Sequence, residues 1–251
     1  MLDDSAVPLS GGQSLLLLLR LRLTAPETLV DIARLPELAA SSLVEGCVRY
    51  GAATTHAAIE DGLAPDASLG LMRFAASGIA YRAVRNLGTI GGSLALSDPA
   101  ADWPLCLLAL DATLLLEGPD GVRRVGMDVF LVSAFTTALQ PGEIITAVDV
   151  PVLPEGSRWG YRKLARKHGA FADSLAAAVW PAGGAPRVAL GATMRRAVLL
   201  RRTMAALDGA RDGLDAAMEA DVAEADPDAD SYRLRCHLAT LRKALHEMGQ
   251  P

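Results

Sequence analysis

A short pattern occurs twice in this chain of 251 residues: two adjacent glycines with hydroxyl residues on both sides. The first copy is SGGQS at 10–14, and the second is TIGGS at 89–93. Glycine lacks a Cβ and tolerates left-handed backbone conformations, so successive amides can point at one place and bind an anion such as phosphate. Flanking hydroxyls add further donors. One glycine pair is most often a plain turn, whereas two such segments suit a pyrophosphate, which needs donors around both phosphorus atoms.

The better-known phosphate-binding patterns are absent from the sequence. No GxGxxG follows a strand-like segment, and GxxxxGK[ST] does not occur. These two patterns mark Rossmann and P-loop sites. Any phosphate group is therefore expected to bind in another way.

Composition and charge exclude several classes of protein. Hydrophobic residues make up 51% of the chain and aromatic residues 4%, which predicts a largely aliphatic core. The net charge of -5 argues against a nucleic-acid partner, because such proteins present a basic face. The apolar run Leu15–Leu19 is far too short for a membrane span, and the first residues lack the features of a signal peptide. We expect a soluble cytoplasmic protein.

The three cysteines, Cys47, Cys106 and Cys236, are far apart and form no CxxC pair. This spacing predicts neither a disulfide framework nor a metal site. Small buried apolar residues in a reducing compartment are the simpler interpretation.

Periodicity and turn residues predict an α+β protein in two domains. In the first domain we expect strands at Ala6–Leu9, Thr28–Ile32, Ala112–Glu117, Gly121–Val125 and Ile144–Val150, with a strand pair in Val44–Ala53. Helices are expected at Ser14–Leu23, with Ser14 as N-cap, at a segment through Ile59 capped by Thr54–Thr55, at Ser68–Gly78 and at Ala101–Leu110. The stretch Ile79–Ser97 is rich in turn residues.

The proline- and glycine-rich segment Pro151–Ser157 is the best domain boundary. Beyond it we expect strands at Gly160–Leu164, Leu175–Trp180 and Arg187–Leu190. Two helices, near Val198–Leu207 and Ser231–Met248, are expected to follow, with the acidic segment Glu219–Asp230 between them.

The segment Ser10–Leu23 (SGGQSLLLLLRLRL) resembles the signature AGGQSLLPLMKLRL of the FAD-binding subunits of molybdenum hydroxylases. That family includes the medium subunits of bacterial carbon monoxide dehydrogenases and the central domain of xanthine dehydrogenase. Further segments resemble the family in the same order: GAATTH at 51–56, VRN at 84–86, GTIGGS at 88–93, DPAAD at 98–102, PGEII at 141–145 and YRKLAR at 161–166.

The resemblance implies a vanillyl-alcohol-oxidase-type (PCMH-like) FAD-binding domain over residues 1–153. Its small N-terminal α/β part is expected over 1–36 and its larger part over 37–153. A C-terminal α+β domain with a three-stranded sheet and helices is expected over 154–251. Only nine residues precede Ser10, fewer than the family usually carries, so we expect a trimmed N-terminal subdomain. Ser10 and Leu17 replace an alanine and a proline of the signature, and neither change removes an amide.

The resemblance also implies a set of cofactor-binding residues: Ser10, Gly11, Gly12, Gln13, Ser14, Ile79, Thr89, Ile90, Gly91, Gly92, Ser93, Asp102, Ile145 and Lys163. The two glycine segments are expected to hold the pyrophosphate and ribityl part of FAD. Asp102 is expected near the flavin's polyol and Lys163 further along, while the isoleucines at 79 and 145 line the adenine or isoalloxazine pocket.

Each of these roles has a structural alternative. Asp102 is also placed to cap the apolar helix that follows it, and Lys163 is equally a solvated strand charge. Ile79 and Ile145 are indistinguishable from core residues. His56, at a helix start, is interpreted as structural rather than catalytic.

In this family, substrate chemistry takes place at a molybdopterin centre in a large subunit, and electrons reach the flavin through [2Fe–2S] clusters in a small subunit. The resemblance therefore implies an FAD-binding electron-transfer chain with both partners, assembled as a dimer of heterotrimers, with no catalytic side chain and no metal site of its own. Two alternatives remain: a self-contained flavin oxidoreductase of the same fold, and a scaffold subunit that has lost FAD.

Overall fold

The computed structural model describes residues 6–209 and 212–249. Its strands are β1 (Ala6–Leu9), β2 (Thr28–Asp31), β3 (Ser41–Val44), β4 (Cys47–Gly51), β5 (Thr113–Gly118), β6 (Gly121–Gly126), β7 (Leu131–Ser133), β8 (Thr136–Thr137), β9 (Ile144–Pro151), β10 (Arg158–Leu164), β11 (Ser174–Trp180), β12 (Arg187–Gly191) and β13 (Val198–Leu199). Its helices are α1 (Leu15–Arg20), α2 (Pro36–Ala39), α3 (His56–Glu60), α4 (Leu71–Ser77), α5 (Arg82–Arg85), α6 (Ile90–Leu96), α7 (Asp102–Ala109), α8 (Met127–Phe130), α9 (Arg201–Asp208), α10 (Leu214–Ala225) and α11 (Ser231–Gly249).

The first described elements form a small unit in which β1 and β2 pair in parallel. Helix α1 connects the two strands, as a parallel connection requires. Ser14 precedes this helix, but its side chain makes no capping hydrogen bond, so the predicted cap is wrong. The reason is the backbone of Ser14, which is already helical, whereas a capping residue needs an extended backbone to aim its oxygen at the first amides. The helix also ends earlier than predicted, just before Arg22 with its left-handed φ of 56°.

A five-stranded antiparallel sheet in the order β3-β4-β9-β5-β6 forms the centre of the first half of the chain. The hairpin of β5 and β6 turns at Pro119 and Asp120, as the turn residues predict. Helix α7 packs against α4 and α6 on one side and against β11 and β12 on the other, and every residue in it is buried. This helix links the two halves of the molecule into one hydrophobic core.

The second sheet is antiparallel and has four strands, in the order β10-β11-β12-β13. The prediction of a three-stranded sheet is therefore wrong. The additional strand is β13, whose Val198 pairs with Leu190 at the edge of β12 and so satisfies backbone groups there. Val198 was predicted to begin a helix, but that helix, α9, begins at Arg201.

The acidic segment was predicted as a connection, yet its first half belongs to helix α10. The helix forms because it buries apolar residues at helical spacing in the core of the C-terminal region, and its acidic charges are paired there. Asp221 accepts hydrogen bonds from Arg202 and from the amide of Thr203, while Asp226 accepts from Arg233. Helix α11 covers β10 and β11. Among the described helices, none has the length and apolar character that a membrane span requires.

Candidate cofactor site

The two double-glycine segments lie on one cleft with a volume of about 570 Å³. All residues predicted for the cofactor line this cleft except Ile90, whose side chain is completely buried. Ile90 begins helix α6 and packs inward, so the prediction that it touches the ligand is not supported by its position. The other predicted residues come together from six separate stretches of chain.

The first segment presents free amide groups to the cleft. Among the described residues, no acceptor takes a hydrogen bond from the backbone N–H of residues 11–14. Gly12 has a left-handed φ of 70°, which only glycine adopts without strain. A Cβ at Gly11 would lie 1.9 Å from the carbonyl oxygen of Leu87, so this glycine is required where the two segments meet. Amides that line a cleft and have no protein acceptor are suited to binding an anion.

The second segment differs, because its amides already have protein partners. The N–H of Ile90 donates to Thr54 O at 3.0 Å, and that of Gly91 donates to Ala52 O at 2.9 Å. Thr89 is the N-cap of α6, with Oγ1 accepting from the Gly92 N–H at 3.1 Å. The prediction that these amides form a second anion nest is therefore wrong, because Thr54, Ala52 and the Thr89 side chain already accept from them.

The glycines of the second segment serve close packing instead. A Cβ at Gly91 would lie 2.6 Å from the Ala52 Cβ and 2.7 Å from the Ala52 oxygen. Gly92 is exposed on the cleft side, and a Cβ there would approach only Thr89 Oγ1, at 3.0 Å. The half-buried Ser93 follows it and also lines the cleft. This segment forms a wall of the cleft with little side-chain bulk.

Asp102 is the centre of a buried polar cluster beside the cleft. Both of its carboxylate oxygens accept hydrogen bonds from Lys163 Nζ, each at 3.0 Å, and one also accepts from the Tyr161 hydroxyl. Ala101, not Asp102, is the N-cap of α7, and no side chain caps that helix. The capping alternative for Asp102 is therefore wrong.

Lys163 is likewise no solvated surface charge, because only 14% of its side chain is exposed. Successive residues of a strand point to opposite faces, so Tyr161 and Lys163 project from the same face of β10 toward Asp102. Burial, and then the carboxylate of Asp102, raise the pKa of the Tyr161 hydroxyl well above its ordinary value. Tyr161 therefore remains a neutral donor. It was missed as a site residue, although its spacing of two from Lys163 was visible in the sequence.

The remaining wall of the cleft is aliphatic. Ile145 projects from β9 and is buried, while Ile79 is half-buried after α4. Further apolar residues complete this wall: Leu18, Val84, Leu96 and Leu139. The cleft thus combines free backbone donors, a paired acid and base, and an apolar surface, which is the composition typical of cofactor sites.

His56 also lines the cleft and was not predicted there. Thr55 caps its helix, α3, by accepting from the Ala58 N–H at 3.1 Å. The His56 ring accepts a hydrogen bond at Nδ1 from Trp103 Nε1, at 2.9 Å. Burial, together with the positive charge of Arg85, lowers the pKa of His56 to about 4. The ring is therefore uncharged at neutral pH. Within the described ranges, no group of three or more His, Cys, Asp and Glu residues is arranged to hold a metal ion.

Comparison with known proteins identifies the family. The family described as the FAD binding domain in molybdopterin dehydrogenase matches residues 2–153, and the chain belongs to this family. The resemblance stated from the sequence is thus confirmed.

Two relatives illustrate the match in sequence. The chain is 41% identical over 176 residues to the 6-hydroxypseudooxynicotine dehydrogenase complex subunit alpha of Paenarthrobacter nicotinovorans. This match covers 70% of this chain and 60% of the relative. The chain is 40% identical over 185 residues to the carbon monoxide dehydrogenase medium chain of Afipia carboxidovorans, covering 73% and 64%. The matched region thus spans less than two thirds of these relatives.

Solved structures resemble the chain over more of its length. The carbon monoxide dehydrogenase of Hydrogenophaga pseudoflava contains a chain that matches with a TM-score of 0.91 and 34% identity, covering 98% of this chain and 90% of the other. Quinoline 2-oxidoreductase from Pseudomonas putida 86 matches with a TM-score of 0.86 and 32% identity, with the same coverage. Both halves of the molecule therefore share their fold with these proteins.

Proposed function

We propose that this chain binds FAD in the cleft and acts as the electron-transfer subunit of a molybdenum-dependent dehydrogenase complex, between [2Fe–2S] clusters of a partner and an external acceptor. The observation that carries the proposal is the convergence on one cleft of the free amides at 11–14 and the Asp102–Lys163 pair. The volume of the cleft, about 570 Å³, falls in the range of cofactor sites. Membership of an FAD-binding family supports the choice of cofactor.

The residues present fit this cofactor. The amides at 11–14 would donate to pyrophosphate oxygens, and the slim wall at 89–93, with the hydroxyl of Ser93, would let the phosphates approach closely. Lys163, held by Asp102, would donate to polar groups of the flavin or its polyol chain. Ile79 and Ile145 would contact an aromatic ring. When bound, FAD supplies the capacity to accept and release electrons, and the chain supplies binding and orientation.

The proposed partners are a molybdopterin-binding large subunit and a [2Fe–2S] small subunit, in a dimer of heterotrimers located in the cytoplasm. Support comes from the relatives, which are named as medium chains or as subunits of dehydrogenase complexes. We further propose a cofactor domain over 1–153, divided near residue 36, and a second domain over 154–251 that contributes Lys163 to the cleft.

Cofactor analysis of the purified complex tests the first part of this proposal. We expect denaturation to release FAD, not FMN, in a near one-to-one ratio to the chain, because the chain belongs to a family of FAD-binding domains. Chromatography of the released flavin beside both standards gives the answer. Release of FMN, or of no flavin, would contradict the assignment and would favour the scaffold alternative.

Activity measurements on the separated chain test the second part. We expect the flavin-loaded chain alone to be reducible by artificial donors but inert toward aldehydes, purines and N-heterocycles. Activity should return when the large and small subunits are added. Turnover of an organic substrate by the chain alone would instead establish a self-contained flavin oxidoreductase.

A further inference from the structure

A histidine side chain with a defined tautomer forms part of the cleft wall. His56 is only 6% exposed, and its Nδ1 accepts the hydrogen bond from Trp103 Nε1. An indole N–H is a donor and never an acceptor. Nδ1 is therefore unprotonated, and the single proton of the neutral ring is on Nε2. Trp103 itself is fully buried in α7, so this orientation is held by the core.

The protonated nitrogen, Nε2 of His56, lies next to Gly88, close to where the two glycine segments meet. A short antiparallel bridge joins Thr55 to Thr89, and the His56 N–H donates to Gly88 O at 2.9 Å. A Cβ at Gly88 would lie 2.7 Å from His56 Nε2. A Cβ at Gly11, in turn, would lie 2.9 Å from the Gly88 Cα. Nε2, Gly88 and Gly11 are thus neighbours, and all three residues line the cleft.

The Nε2–H group has no protein acceptor in the described part of the chain. The fully buried side-chain atoms without a partner in the described residues are Arg187 Nε and Thr203 Oγ1, so Nε2 of His56, a residue that lines the cleft, keeps some exposure. A donor that is oriented by the core, left without a protein acceptor and in contact with a ligand cleft is positioned to bind the ligand.

We propose that His56 is a binding residue that donates its Nε2–H to a phosphate oxygen of the dinucleotide in the cleft, and that Trp103 is the positioning residue that fixes the tautomer. The inference rests on the proposed function. Phosphate is the part of the ligand indicated because Nε2 adjoins Gly88 and Gly11, beside the free amides of the first segment. The low pKa keeps His56 a neutral donor at pH 7, so binding needs no buried positive charge there.

Two substitutions of His56 distinguish the roles of the two ring nitrogens. In His56→Asn, the amide oxygen takes the place of Nδ1 and still accepts from Trp103, but no donor reaches the position of Nε2. In His56→Gln, the longer amide brings an N–H donor near the position of Nε2. With the full-length chain stripped of flavin, titration by flavin fluorescence should show that His56→Asn weakens FAD binding roughly tenfold or more, because a hydrogen bond to a charged group is lost. His56→Gln should lose less.

Riboflavin, which has no phosphate, serves as the second ligand. We expect His56→Asn to leave riboflavin affinity unchanged. Equal loss for riboflavin would place the contact on the flavin ring and overturn the inference. Unchanged FAD affinity in a folded His56→Asn chain would overturn it as well, and would leave the imidazole with a structural role.

Nitrogen-15 NMR of the histidine rings gives a readout that needs no activity and no folded variant of His56. In the flavin-free wild type at pH 7 we expect a single tautomer with the proton on Nε2, and a shift of that resonance when FAD is added. Trp103→Phe should produce a mixture of tautomers. A proton on Nδ1 in the wild type would overturn the inference. If the wild type bound no FAD at all, the proposed function itself would fall, and this inference with it.

Discussion

The hydroxyl oxygens of Ser10 and Thr89 lie 2.9 Å apart, although 79 residues separate them in the chain. This contact joins the two double-glycine segments at the cleft. Their chemistry is nevertheless different, because the first leaves its amides free whereas those of the second already donate to Thr54, Ala52 and the Thr89 side chain. Anion binding is therefore expected to depend on the first segment, and the shape of the cleft on the second.

The two glycines of the second segment should respond differently to substitution by alanine. Gly91→Ala places a Cβ 2.7 Å from the Ala52 oxygen in a buried position, so we expect a loss of about 1–3 kcal/mol in the free energy of unfolding. Gly92→Ala meets only the Thr89 side chain and has the better helix propensity of alanine, so stability should change little. Urea denaturation of the flavin-free chains measures both. Equal losses would contradict the packing role of Gly91.

Gly12 has a matched control in Gly46, since both adopt left-handed backbone, with φ of 70° and 80°. Alanine at Gly46 should cost roughly 1 kcal/mol of stability, the strain of a left-handed residue with a Cβ. Alanine at Gly12 should cost somewhat more, because its Cβ would also lie 2.9 Å from the Leu16 side chain. Only Gly12→Ala should also weaken FAD binding, because Gly12 lies among the free amides while Gly46 is in a turn away from the cleft. Titration of both variants with FAD decides the matter. A similar affinity for both would show that the first segment is merely a turn.

Asp102→Ala should destabilise the flavin-free chain by about 3–5 kcal/mol, because it leaves the buried Lys163 without its partner and the Tyr161 hydroxyl without its acceptor. The double variant with Lys163→Met should recover part of this loss, since the unpaired charge is gone. A double-mutant cycle by chemical denaturation measures the coupling. Additive effects of the two substitutions would mean that the ion pair contributes nothing to stability.

The FAD affinity of the Lys163→Met variant distinguishes a structural role of Lys163 from a role in cofactor binding. If Lys163 contacts the flavin, this variant should bind FAD more weakly than its loss of stability explains. Arg162→Met, in the same strand but pointing to the other face, is the control and should bind FAD as the wild type does. Matching affinities for the two variants would assign Lys163 to stability alone.

Acid should destabilise the chain through His56. The folded-state pKa of about 4 lies below the ordinary value of 6.5, so the unfolded chain binds the proton more readily. The stability that the neutral ring contributes is complete above pH 6.5 and is lost as the pH falls from 6.5 toward 4. The full effect is on the order of 3 kcal/mol. His237, whose pKa burial also lowers, acts in the same direction.

Unfolding free energies at pH 7.5, 5.5 and 4.5 for the wild type and His56→Asn isolate this contribution. The variant retains the part that comes from His237, so the difference between the two chains should shrink as the pH falls. Parallel curves would show that His56 titrates normally in the folded chain.

Local pattern determined much of what this molecule contains. Turn residues placed the hairpin at Pro119 and Asp120, and the predicted threonine cap of α3 at Thr54–Thr55 is confirmed at Thr55, because turns and caps depend on residues only a few positions apart. The ordered family segments also indicated which stretches meet at the cleft, and all the cofactor residues so predicted line it apart from Ile90. These features follow from the sequence itself. The turns and caps depend on local interactions, and the family segments occur in the same order in this chain as in the family.

Only the tertiary structure decided what each polar group does. The amides of Ile90 and Gly91 are paired because Thr54 and Ala52 bring their carbonyls to them, and no local pattern reveals those acceptors. Asp102 binds Lys163 instead of capping its own helix because β10 passes beside α7. The fourth strand, β13, exists because the edge of β12 offers it backbone partners. A hydrogen bond depends on which atoms lie within about 3 Å of each other, and for residues distant in sequence the packing of the whole chain sets that distance.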